Sequence, residues 1–325
     1  MTQRLRRPEP AKWAKIAWAA LAIVNIPIVA AAREAAPAKP DEANISFLKR
    51  ADRKPIPIDL STGLIAFQTE INGVKGWAIL DNLAARSAVD LAFARAAEIE
   101  IGPRSNPIAP GHGPGYEQVE AYRLLRPLAM KFPGQMTATA PLLATDLRSL
   151  PEVQGGKIVL MIGHDFFRHL AFAVDFRSAS LQIGPSGTVG VGSAFTAIQI
   201  AGPRATLPLG VEQHSLLFDI DLGSNGGLAI KSATWDRIGL VGGNEVGFSR
   251  NISGEVYSFA KTELPKLSVG PFLVEKMPGR QMARYTGKSD GIAGMALLRK
   301  FDAFALDIKQ NRLWLLPKEK KSAPQ

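Results

Sequence analysis

Apolar and polar residues follow the same order twice along this chain of 325 residues. In residues 69–102, an Asn-Gly pair between alternating positions predicts a hairpin, which leads into the apolar run WAIL, an Asp and a short helical pattern. In residues 205–240, a second hairpin pattern leads into LLFDI, an Asp and a helical pattern. The two carboxylates, Asp81 and Asp221, lie about 140 residues apart. The pattern therefore predicts a structural unit that occurs twice.

The repeat continues downstream of each Asp. Residues 158–185 and 290–317 both contain apolar residues that lead to Gly163 or Gly294, then a short helical pattern and a two-strand hairpin. A duplication of this length indicates two lobes rather than a solenoid of short repeats. Abundant glycine (30) and proline (23) favour short strands and tight turns. We therefore predict an all-β fold of two lobes with short helices and a cleft between them.

Composition changes divide the chain into five segments. The segments are residues 1–32, a signal peptide or membrane anchor; 33–45, a linker; 46–187, the N-terminal lobe; 188–317, the C-terminal lobe; and 318–325, a basic tail.

A basic segment and an apolar run begin the sequence. Residues 1–15 carry five basic side chains, and residues 16–32 carry no charge and end in three alanines. This arrangement predicts a secretory signal peptide. An uncleaved membrane anchor is the alternative, because the run is near the minimum length that crosses a bilayer. Either one places the body of the protein in the periplasm or on the periplasmic face of the inner membrane.

Composition and motifs argue against several classes of function. The absence of cysteine removes disulfides, thiol catalysis and cysteine-bound zinc. The four histidines lack a metal-binding spacing, and neither a phosphate loop nor a Gly-x-Ser-x-Gly motif is present. The net charge of +10 belongs largely to the two ends, so no basic stripe for nucleic acid is visible between them. We expect a monomer with no metal, no cofactor and no nucleic-acid partner.

Asp81 and Asp221 are the candidate catalytic residues. Each follows an apolar stretch and precedes small residues, as at the junction of a buried strand and a loop. A two-fold relation between the lobes would bring both loops to the interface. Two carboxylates in near contact share one proton, so one can take a proton from water while the other polarises a peptide carbonyl. The alternative is a pair of turn or cap aspartates.

Other acidic residues of the repeat have structural interpretations. Asp175 and Asp307 fall at hairpin turns, where Asp is common. Asp219 falls two residues before Asp221 on the same predicted strand face, and we interpret it as a solvated or paired structural residue.

Residues 65–316 resemble the aspartic proteases of the retropepsin and pepsin type, especially bacterial single-chain retropepsin-like proteins. The family pattern in each lobe is two apolar residues, Asp, Thr or Ser, Gly, and Ala or Ser. Two further apolar residues and a Gly follow later and pack beneath the Asp loop. Asp81 and Asp221 begin the two loops here, and Gly163 and Gly294 match the later glycines. The resemblance implies a peptide-binding cleft and hydrolysis by both Asp residues without a cofactor.

The Asp loops depart from the family pattern. Asn82 and Leu222 stand where the family has a hydroxyl that bonds to the opposite lobe, although Asn82 can still donate and accept hydrogen bonds. Leu83 stands where the family has Gly. A positive φ there would strain the loop, whereas a negative φ would leave its N–H available. The predicted supporting residues of the two loops are Asn82, Leu83, Ala84, Leu222, Gly223 and Ser224.

The sequence thus predicts an exported aspartic endopeptidase that acts on peptides or proteins. Residues 111–122 and 249–257 fall where the family places the flaps that cover the substrate. Two alternatives stay open. A degenerate relative would bind a peptide or protein partner in the cleft without cleaving it, and an exported β-domain would have only a structural role.

Overall fold

The computed structural model describes residues 43–105, 119–188, 191–240, 245–250, 254–283, 285 and 287–319. These residues belong to one folded unit, Ala38–Gln325. The predicted signal peptide or anchor, residues 1–32, lies outside the described residues. Within the described ranges, no helix is long and apolar enough to cross a membrane.

Short strands make up most of the described chain, with short helices between them. The strands are β1 (Asn44–Phe47), β2 (Ile56–Asp59), β3 (Ala66–Ile71), β4 (Val74–Leu80), β5 (Ala88–Asp90), β6 (Ile101–Ser105), β7 (Ala121–Leu124), β8 (Leu128–Phe132), β9 (Met136–Ala140), β10 (Leu143–Thr145), β11 (Ile158–Ile162), β12 (Leu170–Asp175), β13 (Ser180–Pro185), β14 (Thr196–Gln199), β15 (Thr206–Val211), β16 (His214–Asp221), β17 (Leu228–Lys231), β18 (Val246–Arg250), β19 (Val256–Val269), β20 (Phe272–Met282), β21 (Gly291–Gly294), β22 (Phe301–Asp307) and β23 (Arg312–Pro317). The helices are α1 (Leu91–Ala96), α2 (His164–Phe167), α3 (Ser232–Arg237) and α4 (Met295–Leu298), with a 3₁₀ turn at Arg50–Asp52.

The same strand order occurs in both lobes. Neighbouring strands of the first lobe follow the order β3-β4-β11-β5-β10-β7-β6, and those of the second follow β15-β16-β21-β17-β20-β19-β18. The directions also agree. β4 and β16 pair in parallel with β11 and β21, whereas β5 and β17 lie antiparallel to β11 and β21. This order confirms the prediction of an all-β fold in which one structural unit occurs twice.

A sheet to which both lobes contribute joins them. Its strands follow the order β14-β23-β22-β12-β13-β2, which is symmetric about the contact between β22 and β12. There the strands pair antiparallel, from Phe172 opposite Leu306 to Asp175 opposite Ala303. This shared sheet relates the two lobes and therefore the two Asp loops that follow β4 and β16.

The turns explain why certain polar residues recur in the repeat. Asn72 and Gly73 have φ values of 48° and 84°, the left-handed conformation that a two-residue hairpin turn between β3 and β4 requires. Asn and Gly adopt this conformation at little cost. The predicted hairpin therefore forms at this pair.

The two hairpin aspartates hold their turns through backbone N–H groups. Asp175 accepts two such bonds within the turn after β12. The carboxylate of Asp307 accepts hydrogen bonds from Ser186, Gly187 and Gln310. These contacts give both residues a structural role.

Residues at the ends of the predicted linker and tail contact the folded part of the chain. β1 pairs with β9, so Asn44 and Ile45, at the end of the predicted linker, belong to a strand of the first lobe. Glu319, in the predicted basic tail, lies 3.6 Å from the guanidinium of Arg177.

Candidate active site

Each of the two predicted aspartates lies where a buried strand ends beside a parallel neighbour. Asp81 directly follows β4, and its N–H donates to the carbonyl of Ile162 in β11 at 2.9 Å. Asp221 is the last residue of β16 and lies opposite Gly294 of β21. The two residues are only 4% and 8% exposed. The duplicated topology therefore gives each lobe one buried carboxylate in an equivalent position.

The first Asp loop forms backbone hydrogen bonds to the Asp81 carboxylate although Leu83 occupies the Gly position of the family pattern. Oδ1 of Asp81 accepts from the N–H groups of Leu83 at 3.1 Å and Ala84 at 3.0 Å. The φ angle of Leu83 is not positive. The backbone is therefore unstrained at Leu83, and its N–H bonds to the carboxylate as a Gly N–H would.

The side chain of Leu83 makes contacts with the second lobe. It packs against an apolar cluster of the second lobe, whose members are Ala229, Met282, Tyr285 and Ile292. Leu83 thus adds an apolar contact between the lobes beside Asp81.

The second Asp loop lies directly against the first carboxylate. The N–H of Gly223 donates to Oδ1 of Asp221 at 2.9 Å. A Cβ at Gly223 would lie 2.5 Å from Cγ of Asp81, far inside van der Waals contact. The missing side chain therefore lets the loop of Asp221 approach the Asp81 carboxylate. The backbone carbonyl of Ser224 accepts a hydrogen bond from the N–H of Met295 at the start of α4, at 2.8 Å.

Asn82 joins the two loops with both ends of its amide. Its Nδ2 donates to the carbonyl of Ile220 at 2.7 Å, and its Oδ1 accepts from the N–H of Leu222 at 2.9 Å. Asn82 is 1% exposed, and the side chain of Leu222 is buried in the apolar core. One amide therefore holds both backbone groups that flank Asp221, whereas Leu222 offers no hydroxyl to the first loop.

Burial and mutual repulsion set the protonation of the two carboxyls. Burial raises the pKa of Asp221 to about 8, with a further rise from the Asp81 charge. The Gly223 N–H and the charges of Arg280 and Arg204 oppose this rise in pKa. Burial also raises the pKa of Asp81, against hydrogen bonds from Ala84 and Leu83 that lower it. The pair therefore retains a proton at neutral pH.

Asp219, in β16 two residues before Asp221, forms a polar network with three other side chains. It forms a short ion pair with Arg204 and accepts hydrogen bonds from the hydroxyls of Thr206 and Tyr285, both at 2.8 Å. Burial is the main cause that raises the pKa of Tyr285 to about 12, so this phenol stays a donor. Asp219 is thus a paired residue that supports β16.

The two later glycines lie beneath the Asp loops. The N–H of Gly163 donates to Oγ of Ser87 at 2.8 Å, and that of Gly294 donates to the carbonyl of Gly227 at 2.9 Å. A Cβ at Gly163 would lie 2.6 Å from the backbone carbon of Arg86. A Cβ at Gly294 would lie 2.5 Å from the carbonyl oxygen of Gly226. Both positions therefore admit only glycine without movement of the loop above.

Gly163→Ala and Gly294→Ala are each expected to lower the free energy of unfolding by about 1–3 kcal/mol, because the added methyl overpacks a backbone contact. Urea denaturation measures this change. Gly192→Ala is the matched control, since nothing lies within 4 Å of its Cβ position. If the control loses as much stability as the two site variants, steric exclusion at the loops is not the cause.

The predicted flap regions lie partly outside the described residues. Residues 106–118 and 251–253 are outside them, and β7, β18 and β19 form their described flanks.

Sequence reasoning missed Arg204 and Arg280, whose charges act on Asp221. Only the strand register reveals Arg280. It lies opposite Ala229 of β17, whereas the matching residue of the first lobe, opposite Ala88 of β5, is Leu143.

Comparisons with known proteins find likenesses among solved structures. No protein-family model matches the sequence, and no curated protein matches it. The chain is similar to the crystal structure of a retropepsin-like aspartic protease from Rickettsia conorii, at 17% identity and a TM-score of 0.30, over 37% of this chain and 89% of that one. It is also similar to Basic 7S globulin from soybean, at 10% identity and a TM-score of 0.43, over 85% of this chain and 95% of that one.

Proposed function

We propose that the protein is an exported aspartic-type endopeptidase in which Asp81 and Asp221 activate water. The observation that carries this proposal is the pair of buried carboxyls on loops that meet, with Gly223 against Asp81 and Asn82 bonded across to the backbone around Asp221. The substrate is a peptide or protein segment in the cleft between the lobes, and the enzyme acts as a monomer without a cofactor.

The hydrogen bonds around the pair assign different roles to its two members. Asp81 accepts two backbone N–H bonds, whereas Asp221 accepts one and feels the charge of Asp81. Hydrogen bonds to a carboxylate favour its ionised form. We therefore assign the ionised base to Asp81 and the protonated acid to Asp221.

The reaction needs only these two groups and a water molecule. Asp81 takes a proton from water as the water oxygen bonds to the peptide carbonyl carbon, and Asp221 gives its proton to the carbonyl oxygen. The resulting gem-diol then collapses. Its C–N bond breaks as the nitrogen receives the proton held by Asp81, and Asp221 regains a proton from a gem-diol hydroxyl. The pair ends with one proton, as it began.

The proposed location rests on the N-terminal segment. The basic flank and the uncharged run of residues 16–32 favour export to the periplasm, either free or anchored to the inner membrane. Fractionation of cells that produce the full chain tests this location.

Peptide cleavage by the purified protein tests the function. We expect cleavage of a mixed peptide library, detected by mass spectrometry, and inhibition by statine-type peptides that imitate the gem-diol. If the statine-type peptides bind but no library peptide is cleaved at any pH, the protein is a binding relative and not an enzyme. If neither occurs, the cleft has no peptide function.

The maximum of kcat/KM should lie at a higher pH than that of a protease that is active only in strong acid. As the pH rises through the Asp221 pKa of about 8, the pair loses its shared proton and kcat/KM should fall. The raised pKa of Asp81 moves the acidic limb upward as well. Initial rates with a peptide that has no titrating side chains measure both limbs. Activity confined to strongly acidic pH would contradict the raised values.

A further inference from the structure

The second lobe contains a cavity of about 630 Å³ beside the hairpin of β18 and β19. Its lining includes Tyr257 and Phe259 from β19 and Arg280 from β20. These three side chains lie on one face of the sheet, since alternate residues of a strand share a face and Arg280 lies opposite Lys261. The cavity therefore has two aromatic walls and one cation, and the carboxylates of Glu245 and Glu255 also belong to its lining.

The aromatic walls hold the guanidinium in a defined place. Nη1 of Arg280 donates to the hydroxyl of Tyr257 at 2.8 Å. The guanidinium carbon lies 5.3 Å from the ring centroid of Phe259 and 5.9 Å from that of Tyr257, within the range of cation–π attraction. A Cβ at Gly247 would lie 2.4 Å from the Phe259 ring, so the glycine makes room for this ring. Together these contacts fix the position of the Arg280 guanidinium in the cavity.

The guanidinium lacks a carboxylate partner. Within the described part of the chain, its hydrogen bond goes to Tyr257 and no Asp or Glu forms an ion pair with it. Glu245 at the exposed rim of the cavity pairs instead with Lys261, at 2.9 Å. A guanidinium has five N–H donors, so most of those of Arg280 stay available to a ligand.

The cavity lies on the same sheet as Asp221. β20 pairs with β17, β17 with β21, and β21 with β16, which ends in Asp221. The charge of Arg280 acts on Asp221, which places the guanidinium within electrostatic reach of it. Leu143 holds the matching place in the first lobe, so the first lobe has no cation at this position.

We propose that this cavity is a substrate subsite in which Arg280 binds a carboxylate of the peptide close to the scissile bond. The inference rests on the proposed peptidase function and adds a substrate class to it. A guanidinium binds a carboxylate through two parallel N–H bonds, and the aromatic walls shield that pair from water. The carboxylate can belong to an Asp or Glu side chain or to the end of the peptide.

Matched peptides test the subsite. From a cleaved library peptide, one series places Glu, Gln or Lys at each position near the scissile bond, and a second compares a free C-terminal carboxylate with its amide. We expect kcat/KM to favour the carboxylate form by about 10- to 100-fold in one of the two series, which identifies the source. Arg280→Gln should bring that ratio close to one, and Arg280→Lys should give an intermediate ratio.

Lys261→Gln is the matched control, because it removes a cation from the same strand face and should preserve the ratio. Equal ratios in the wild type and Arg280→Gln, or no carboxylate preference in the wild type, overturn the subsite while peptidase activity stands. If no peptide is cleaved, the proposed function fails, and fluorescence anisotropy with the same carboxylate and amide peptides still tests the subsite. Equal affinities then overturn it, whereas an Arg280-dependent preference supports it.

Discussion

Asp221→Asn is expected to lower kcat/KM for peptide cleavage by about 10²–10⁴-fold or more, because the amide cannot give up a proton to the carbonyl oxygen. The amide keeps the shape of the side chain, and its oxygen can still accept the bond from Gly223. Asp81→Asn should be equally damaging, since it removes the base. Initial rates on a library peptide measure both changes. Asp146→Asn, at an exposed carboxylate paired with Arg148, is the control and should keep full activity.

Asp221→Asn should also stabilise the fold at high pH relative to the wild type. In the unfolded chain Asp221 ionises near 3.8, whereas in the folded protein its pKa is about 8. Its contribution to stability is therefore full below pH 4 and is lost as the pH rises through about 8. Asn does not ionise, so Asp221→Asn should gain about 2–5 kcal/mol over the wild type between these limits. Urea unfolding at pH 4 and pH 9 measures the gain. A loss of activity without a pH-dependent gain in stability would contradict the raised pKa.

Asn82→Ala has the second largest expected effect. It removes both hydrogen bonds across the loops and leaves the Ile220 carbonyl and the Leu222 N–H buried without partners. Each such group costs about 1–3 kcal/mol, so the free energy of unfolding should fall by about 2–6 kcal/mol. Activity should fall about 10²-fold as well, because the two carboxyls lose their fixed spacing. Urea denaturation and initial rates measure the two effects.

A matched substitution and a rescue give this prediction its controls. Asn225→Ala removes another amide hydrogen bond between the lobes, to the carbonyl of Thr62 at 3.2 Å, but at an exposed position. It should cost about 0.5 kcal/mol or less. Asn82→Thr restores the hydroxyl that the family resemblance implies and should recover part of the loss. If Asn82→Ala and Asn225→Ala behave alike, the buried amide does not organise the site.

The sequence predicts the duplicated fold well because its signals are local. The Asn72-Gly73 turn, the apolar lead-in to each Asp and the paired glycines at 163 and 294 each specify a piece of backbone. Their recurrence at a constant spacing then implies two equivalent lobes. The structure has these pieces in the same strand order in both lobes.

The competence of the loops could not be read from the sequence. The sequence alone leaves open whether Leu83 strains the loop, because only a positive φ would do so, and its φ is not positive. The two-sided bond of Asn82 also depends on where the other lobe places Ile220 and Leu222, which is a tertiary relation. Arg280 gave no sequence signal at all, since a single Arg in an alternating strand usually faces solvent.

The central claim is that Asp81 and Asp221 act as one proton-sharing pair. Carbon-13 NMR of labelled Asp side chains, followed from pH 3 to pH 10, tests it directly. We predict one carboxyl that stays protonated through neutral pH and ionises near pH 8. Its pKa should fall in Asp81→Asn, where the neighbouring charge is gone. Two carboxyls that both ionise near pH 4, or an Asp221 titration that Asp81→Asn leaves unchanged, would contradict the claim.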